Sequence, residues 1–537
     1  MKSRYRGTCK CCKDTIYVGD EIWNVTNLGG WVHVSCAKNP PKTEATALPP
    51  ASEYQQPILD WLEFGAGHAL VDACPGSGKT TTLKMVVHRI REFQPKAKIK
   101  VVAFNSPIAA EIDAELEGAA SVSTFHSWGF NMEKQVNKGI KCSKENKLWE
   151  LVKNIFPLEE GITKDEKKLV YKRRRVYRAL AGKMKGTLLS PVECITRFGI
   201  DVDGIDFDPN IAQNILTIGY MDKTRCDFDD MVWMAFMDEC SENYDWILLD
   251  EVQDVNPVML ELAMFSVKGK TRVIGVGDRF QSIYAWRGAH FKMMELLEER
   301  LNATSFNLPV TYRCPQIHVD YINTRIPGAN IICGRPDAPG ELDFVPYDKI
   351  VDLIKPDDHT IICRRNAPLI KLAYELIAAG KAATVLGRDI SKGLLDLISK
   401  VPGGPTQEAG DLTERLSQYV YKRCKKMGGE DNQNTALIEG LHDKLECIRV
   451  VAYHEETRTG VVDRINAIFS ESVKGIPLMS IHKCKGKTFT HCVILEEDQL
   501  PFKSQNEEEA QQEENCMRVA LSRSNSKLTC VFAEERE

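Results

Sequence analysis

The stretch Gly67–Val87, GHALVDACPGSGKTTTLKMVV, constrains this chain more than any other, because it reads as apolar strand, glycine loop and helix in succession. The loop, ACPGSGKT from Ala73 to Thr80, fits the Walker A pattern, with Ala73 where the first glycine often stands and Cys74, Pro75 and Ser77 between the fixed positions. Gly76 and Gly78 let backbone N–H groups converge on phosphate oxygens. Lys79 reaches the β- and γ-phosphates, and Thr80, with Thr81 beside it, brings a hydroxyl to Mg²⁺. Such a loop works at the carboxyl edge of a parallel, doubly wound sheet. A second apolar run, DWILLDE, ends in Asp250 and Glu251, and a third, TRVIGVGD, ends in Asp278. Carboxylates at that edge lie beside the glycine loop: Asp250 would hold Mg²⁺ through water, and Glu251 would act as general base on the attacking water. The class is α/β and the ligand a nucleoside triphosphate.

With 537 residues, three or four domains are expected at roughly 100–200 residues each. A content of 43% hydrophobic and 27% charged residues excludes a disordered or fibrous chain. No apolar run approaches the roughly 18 residues of a membrane span, so no membrane partner is expected. The opening MKSRYRGTCKCCKD lacks the apolar core of a secretory signal. Most of the 18 cysteines stand singly in apolar runs, as Cys363 does in TIICRR and Cys492 in THCVILEE. That usage fits small buried hydrophobes in a soluble protein of a reducing cytoplasm. A net charge of −5 neither demands nor excludes nucleic acid.

One cysteine cluster differs. Cys9 and Cys12 form C-x-x-C, and His33 and Cys36 form H-x-x-C, two short spacings that bring four ligands to one tetrahedral structural Zn²⁺. The intervening VGDEIWNVTNLGGWVHV reads as a hairpin turning at Gly29-Gly30. Residues 1–40 are too few to bury much core, so a metal staple is motivated. The proline-rich stretch at 41–52 reads as a linker.

The motifs taken in order resemble the superfamily 1A DNA helicases of the UvrD/Rep/PcrA type. YQQPIL resembles the Q motif, DEVQD (Asp250 to Asp254) the DExxQ box, and GDRFQSIYAWRGA (Gly277 to Ala289) the third motif. TYRCP (Thr311 to Pro315) is similar to motif four, and CRRNAPL (Cys363 to Leu369) to the strand of the second lobe. SIHKCKGKTF (Ser480 to Phe489) is similar to motif five, and VALSRS (Val519 to Ser524) to motif six. AFNSPIAAEI and STFHSW resemble the DNA-contacting motifs that follow Walker A.

The resemblance implies two RecA-like lobes with ATP between them. Gln55 would read the adenine edge, with Gln56 the alternative, and Tyr312 would stack on its face. Gln281 would contact the γ-phosphate, Arg287 and Arg313 would sense it, and Arg523 would be an arginine finger from the second lobe; the planar guanidinium fork suits that task. Tyr284 and Trp286 would stack on DNA bases. Phe104, Phe125 and His126 would face the strand from loops, core packing being the competing reading for Phe104, and His482, Lys483 and Lys485 would make phosphate or relay contacts. Three departures stand out: Thr488 replaces an acidic residue credited with a sugar contact, Thr311 an asparagine, and Arg518 an aromatic residue.

The expected division is a zinc-binding module at 1–40, a first lobe at 53–301 with a helical insertion at about 131–225, and a second lobe at 302–537 with one at about 391–474. Within the first insertion, Lys164 to Lys185 carries ten basic and two acidic residues, a pattern suited to tracking phosphates. The function expected is an ATP- and Mg²⁺-dependent helicase, translocating 3′→5′ on single-stranded and tailed duplex DNA in replication, recombination or repair. Its zinc module would contact DNA or replication and repair proteins. The alternatives are a DNA-stimulated ATPase that strips proteins without unwinding, and a zinc-bearing DNA-binding scaffold, against which the intact Lys79, Glu251, Gln281 and Arg523 argue.

Overall fold

Six strands form one parallel sheet, the inner ones apolar on both faces as strands sandwiched between helices must be; the edge strand Thr304–Leu308 lies beyond the expected lobe boundary at 301 but pairs with Ala69–Ala73 and so belongs to the first lobe's sheet. The six are β1 (Ala69–Ala73), β2 (Ile99–Ala103), β3 (Ser121–Thr124), β4 (Trp246–Leu249), β5 (Arg272–Gly277) and β6 (Thr304–Leu308), in the order β6-β1-β5-β4-β2-β3. Alternate residues point to opposite faces. Leu70, Val102, Ile247 and Val273 therefore enter one core, and Val71, Val101, Leu248 and Ile274 another, which α1 (Lys79–Phe93) covers. Only β5 separates β1 from β4, so the glycine loop and the Asp250–Glu251 pair emerge side by side at the carboxyl edge.

The chain between β3 and β4 is mainly helical. It includes α2 (Lys164–Thr187) and a two-stranded ribbon, Lys141–Cys142 with Arg225–Cys226, that closes its base. Its apolar side chains, among them Tyr177, Leu180 and Met184, join the first of the two cores.

A second all-parallel sheet follows: β7 (Glu341–Val345), β8 (His359–Cys363), β9 (Ala383–Leu386), β10 (Ile476–Ser480), β11 (Phe489–Leu495) and β12 (Ser524–Val531), ordered β7-β12-β11-β8-β10-β9. Four helices, Arg388–Ile398, Ala409–Lys426, Thr435–Ala452 and Arg458–Ile468, stand between β9 and β10 and pack on Ile361, Val385 and Leu478. Between β11 and β12 runs α3 (Glu507–Leu521). The fold is thus the expected α/β pair of RecA-like lobes, each with a helical insertion.

This computed structural model describes residues 7–9, 15–17, 21–25, 30–33, 48–143, 146–283, 288, 292–355, 358–426, 435–469, 475–504 and 507–533. Met1–Ala51 and Ser52–Glu537 are separate compact units. In the smaller unit Gly7–Thr8 pairs with Thr15–Ile16, and Ile22–Val25 pairs antiparallel with Gly30–His33. The hairpin is the one expected, but Gly30 opens the returning strand, opposite Val25, instead of lying in the turn. Cys9 is buried; Cys12, Cys36 and the side chain of His33 lie outside the described residues. Among the described residues no helix is long and apolar enough to cross a membrane.

Candidate functional site

Cys74 to Gly78 link β1 to α1. Gly76 and Gly78 adopt φ of +76° and +83°, the left-handed region that side chains resist. At Gly76 space forbids a side chain as well: a Cβ there would lie 2.6 Å from Arg313 Cβ and 2.9 Å from Thr311 Oγ1. That crowding reflects bracing by motif four. The Thr311 hydroxyl donates to Pro75 O at 2.7 Å, and the Tyr312 N–H donates to Gly76 O at 2.9 Å. The Tyr312 ring is exposed beside the loop, free to stack. Gln55 sits next to Gly78 but is committed to the protein: its Nε2 donates to Thr82 Oγ1 at 2.8 Å, and its Oε1 accepts from Ser52 N at 3.0 Å. Gln56 is exposed and donates to Asp60. Ser77 Oγ is buried with no hydrogen-bond partner among the described residues.

At the end of β4, Asp250 is buried and Glu251 turns back into the left-handed region at φ 50°. A non-glycine residue there carries strain of order 1–3 kcal/mol, a feature that clusters at working sites. Lys79 Nζ lies 4.0 Å from Glu251 Oε1. Burial, with Glu251 adjacent, pushes the Asp250 carboxyl up to about 7. Burial also acts on Glu251, but Lys79 and Lys485 outweigh it and hold that carboxyl below its ordinary value. Lys79 is raised in spite of burial, by Glu251, Asp278 and Asp250. The pair is thus split into a proton-holding and an ionised member, the second being the candidate base. Gln281 donates to Asp278 Oδ2 at 2.6 Å, and Gln253 accepts from Asp278 N at 3.0 Å, so the ends of β4 and β5 are cross-tied.

The second lobe closes on this edge. Arg313 Nη1 donates to Ser522 O at 3.2 Å, and burial, then Arg523, pushes Arg313 down to about 10. Arg523 is fully buried and spends its donors inward, on Val519 O at 2.7 Å, Lys487 O at 3.1 Å and Ser522 Oγ at 2.8 Å. Its field reaches Glu251, so the expected finger is near the base but points at its own lobe. Arg287, Tyr284 and Trp286 lie outside the described residues. Thr488 is exposed.

Two residues that the sequence had singled out take settings it did not show. Lys485 of motif five bridges the lobes: its Nζ donates to both Asp254 oxygens at 2.7 Å and to Gln281 O at 2.5 Å. Asp254, the last residue of DEVQD, was the legible half of that pair. Arg518 is 4% exposed, lies 4.5 Å over the Phe280 ring, and keeps Nε and Nη1 without hydrogen-bond partners among the described residues. Its charge is felt at Cys74, the first loop residue. In the sequence, Arg518 stands out only as a departure from motif six.

The DNA candidates are scattered. His482 and Lys483 line a cleft of about 2580 Å³ between the first insertion, the second lobe and the second insertion, with Lys183, Arg197, Phe198 and Phe502 on other walls. Phe104 is half-buried just past β2. Phe125 corrects the expectation: it opens a helix, Phe125–Val136, rather than a loop, and its side chain is in the core beyond any strand's reach. Thr124 Oγ1 caps that helix by accepting from Ser127 N at 3.2 Å, and the helical spacing then turns Phe125 and Trp128 inward together. His126 stacks on Phe228 at 3.8 Å, and burial pushes it down to about 4. The basic helix α2 spends much of its charge internally: Arg174 donates to Phe156 O, Arg173 to Ile205 O and Lys172 to Asp203 O, while Lys185 pairs with buried Asp230.

Comparison with known proteins places this geometry. Residues 58–302 match the family described as UvrD/REP helicase N-terminal domain. The chain is 25% identical over 267 residues to the ATP-dependent DNA helicase Rep of Buchnera aphidicola subsp. Baizongia pistaciae, covering 46% of this chain and 38% of the relative. It is 27% and 26% identical to the Rep helicases of Salmonella typhimurium and Escherichia coli K12, covering 44% of this chain and 38% of each. The chain thus spans well under half the length of the curated relatives it matches. With the two sheets, the glycine loop and the DEVQD edge already in view, the first lobe is similar over residues 58–302 to the UvrD/REP helicase N-terminal domain.

Proposed function

We propose that this chain is an ATP-driven motor that moves 3′→5′ along single-stranded DNA and opens tailed duplexes. One observation carries the reading: Lys79, Asp250 and Glu251 of the first lobe face Arg313 and Arg523, while Lys485 ties motif five to Asp254 of the same edge. A site completed by two lobes converts a change at a phosphate into movement of one lobe against the other. The chain fits a polyphosphate on its own terms: Gly76 and Gly78 are left-handed, Gly76 has no room for a side chain, and among the described residues Ser77 Oγ and Arg518 Nε and Nη1 are buried without hydrogen-bond partners. Mg²⁺, held by Thr80 and through water by Asp250, would neutralise charge between the β- and γ-phosphate oxygens. Glu251, ionised and beside Lys79, takes the proton of the attacking water; Tyr312 stacks on the base; Arg523 swings from its backbone acceptors to the developing charge. DNA passes through the cleft that His482 and Lys483 line, and Tyr284 and Trp286 stack on its bases. The N-terminal unit holds Zn²⁺ on Cys9, Cys12, His33 and Cys36 and serves as a contact for DNA or for replication and repair proteins. A cytoplasmic setting follows from the cysteine usage.

A second reading, a DNA-stimulated ATPase that strips proteins without unwinding, is favoured by the cleft itself. Basic and acidic residues line it in equal number, and Arg364 and Arg365 are paired there with Glu513 and Glu496. The deciding experiment compares duplexes bearing a 3′ or a 5′ single-stranded tail. Strand separation from the 3′ tail is expected, with Lys79→Ala and Glu251→Gln inactive; separation from the 5′ tail overturns the polarity, and separation of neither, with DNA-stimulated ATP turnover intact, selects the second reading.

A further inference from the structure

We propose that the second lobe holds a divalent transition-metal ion of the zinc class between His359, His491 and Asp358, at the amino edge of its sheet. The three side chains each bring a ligand atom within 4.8 Å of the others. His359 opens β8 and pairs in register with His491 on β11, so the two rings meet at a centroid distance of 3.9 Å. The β11–β12 register shifts between Phe489 and His491, the kind of irregularity that re-aims side chains beside sites.

Hydrogen bonding fixes which nitrogen is left over on each ring. His491 Nε2 lies 2.9 Å from Thr529 Oγ1, and His359 Nδ1 lies 3.1 Å from Lys355 O. When these nitrogens carry the protons and donate, Nδ1 of His491 and Nε2 of His359 present lone pairs; no hydrogen bond among the described residues occupies either. The Lys355 amide also lies 3.2 Å from His359 Nδ1, and a bound cation selects the donating tautomer over that one. A metal-bound histidine whose other nitrogen donates to an oxygen is the usual outer arrangement of such sites.

Asp358 is exposed while both rings are buried, which gives a carboxylate at the mouth and a path for entry. Lys527 is the opposing charge; it is in register with His491, but its Nζ is held by Glu341 at 2.6 Å and Asp343 at 2.8 Å. Two imidazoles and one carboxylate suit Zn²⁺, Co²⁺ or Ni²⁺ rather than Mg²⁺ or Ca²⁺. Tetrahedral zinc at about 2.0–2.1 Å sets ligand atoms about 3.3 Å apart, so modest side-chain rotations close the set and water takes the fourth position. The ion would staple β8 to β11, whose opposite ends carry Arg364, Arg365 and Glu496 beside the cleft.

The test uses the full chain, stripped with a chelator and reloaded with Zn²⁺ alone, then desalted and analysed for metal. Wild type should retain one zinc more than Asp358→Asn or His491→Asn, and the Zn²⁺ concentration that raises its melting temperature should be at least about tenfold lower. The cysteine cluster is common to all three proteins, so the difference reports on this site alone. If His491→Asn fails to fold, the exposed Asp358→Asn decides. Equal zinc content and equal thermal response in wild type and Asp358→Asn overturn the proposal.

Discussion

At the residue scale the site is organised by what burial does to charge. Burial, then the ionised Glu251 beside it, pushes the Asp250 carboxyl up to about 7. Below that value native Asp250 keeps a proton that Mg²⁺ must displace. Mg²⁺ binding is therefore expected to release close to one proton at pH 6 and almost none at pH 8, measurable by calorimetry in buffers of different ionisation enthalpy; no release at pH 6 would show Asp250 outside the metal site. The same shift has a sign for stability. A raised carboxyl pKa means the folded state binds the proton more tightly than the unfolded one, so this residue's contribution declines as pH rises from about 4 to about 7. Arg518 follows the same logic from the cationic side. An unpaired buried donor costs about 1–3 kcal/mol, more when charged. Arg518→Leu should therefore raise the melting temperature of the nucleotide-free protein while lowering ATP turnover. Stabilisation with unchanged turnover would leave Arg518 no part in nucleotide handling.

At the element scale the strands present their ends and short segments cross-tie them. Motif four braces the glycine loop through Thr311 and Tyr312, motif three ties to DEVQD through Asp278 and Gln253, and motif five crosses the lobes through Lys485. The Lys485–Asp254 pair is almost wholly buried, so removing one partner leaves a bare charge costing about 3–5 kcal/mol. Asp254→Leu and Lys485→Met should each lower unfolding stability by roughly that much, while the double variant recovers most of it. The double variant should nonetheless lose the stimulation of ATP turnover by single-stranded DNA, because the tie between γ-phosphate edge and motif five is gone. Additive losses in denaturant unfolding would show that the two charges do not act as a pair. Arg523 belongs to this scale as well, since its reach depends on leaving the acceptors Val519 O and Lys487 O.

At the scale of the molecule every nucleotide-facing residue named here falls within Ser52–Glu537, and the cysteine cluster within Met1–Ala51. Cys12→Ser or Cys36→Ser should therefore remove one zinc from the full chain and leave ATP turnover in place. Metal analysis and a turnover assay on the same preparation check this; loss of turnover with the zinc retained would contradict the separation.

Alone, the sequence determined the parts whose chemistry is local. A strand, a glycine loop and a helix are written within one stretch because left-handed glycines and a phosphate-facing helix start are short-range requirements. DWILLDE and TRVIGVGD could be read as buried parallel strands from continuous apolarity, and the insertion helices from their 3.6-residue spacing. Phe125 could not be placed, because its neighbours do not reveal that Thr124 caps a helix there and turns the ring into the core. The charge of α2 pointed outward in sequence, yet the fold supplies carbonyls and Asp230 to absorb much of it. Tertiary structure alone decided the partners of Lys485, the burial of Arg518 against Phe280 and the meeting of His359 with His491. Each depends on which strands lie side by side and which lobe closes on which edge, and those choices are made by the burial of whole sheets, not by any residue's neighbours in the chain.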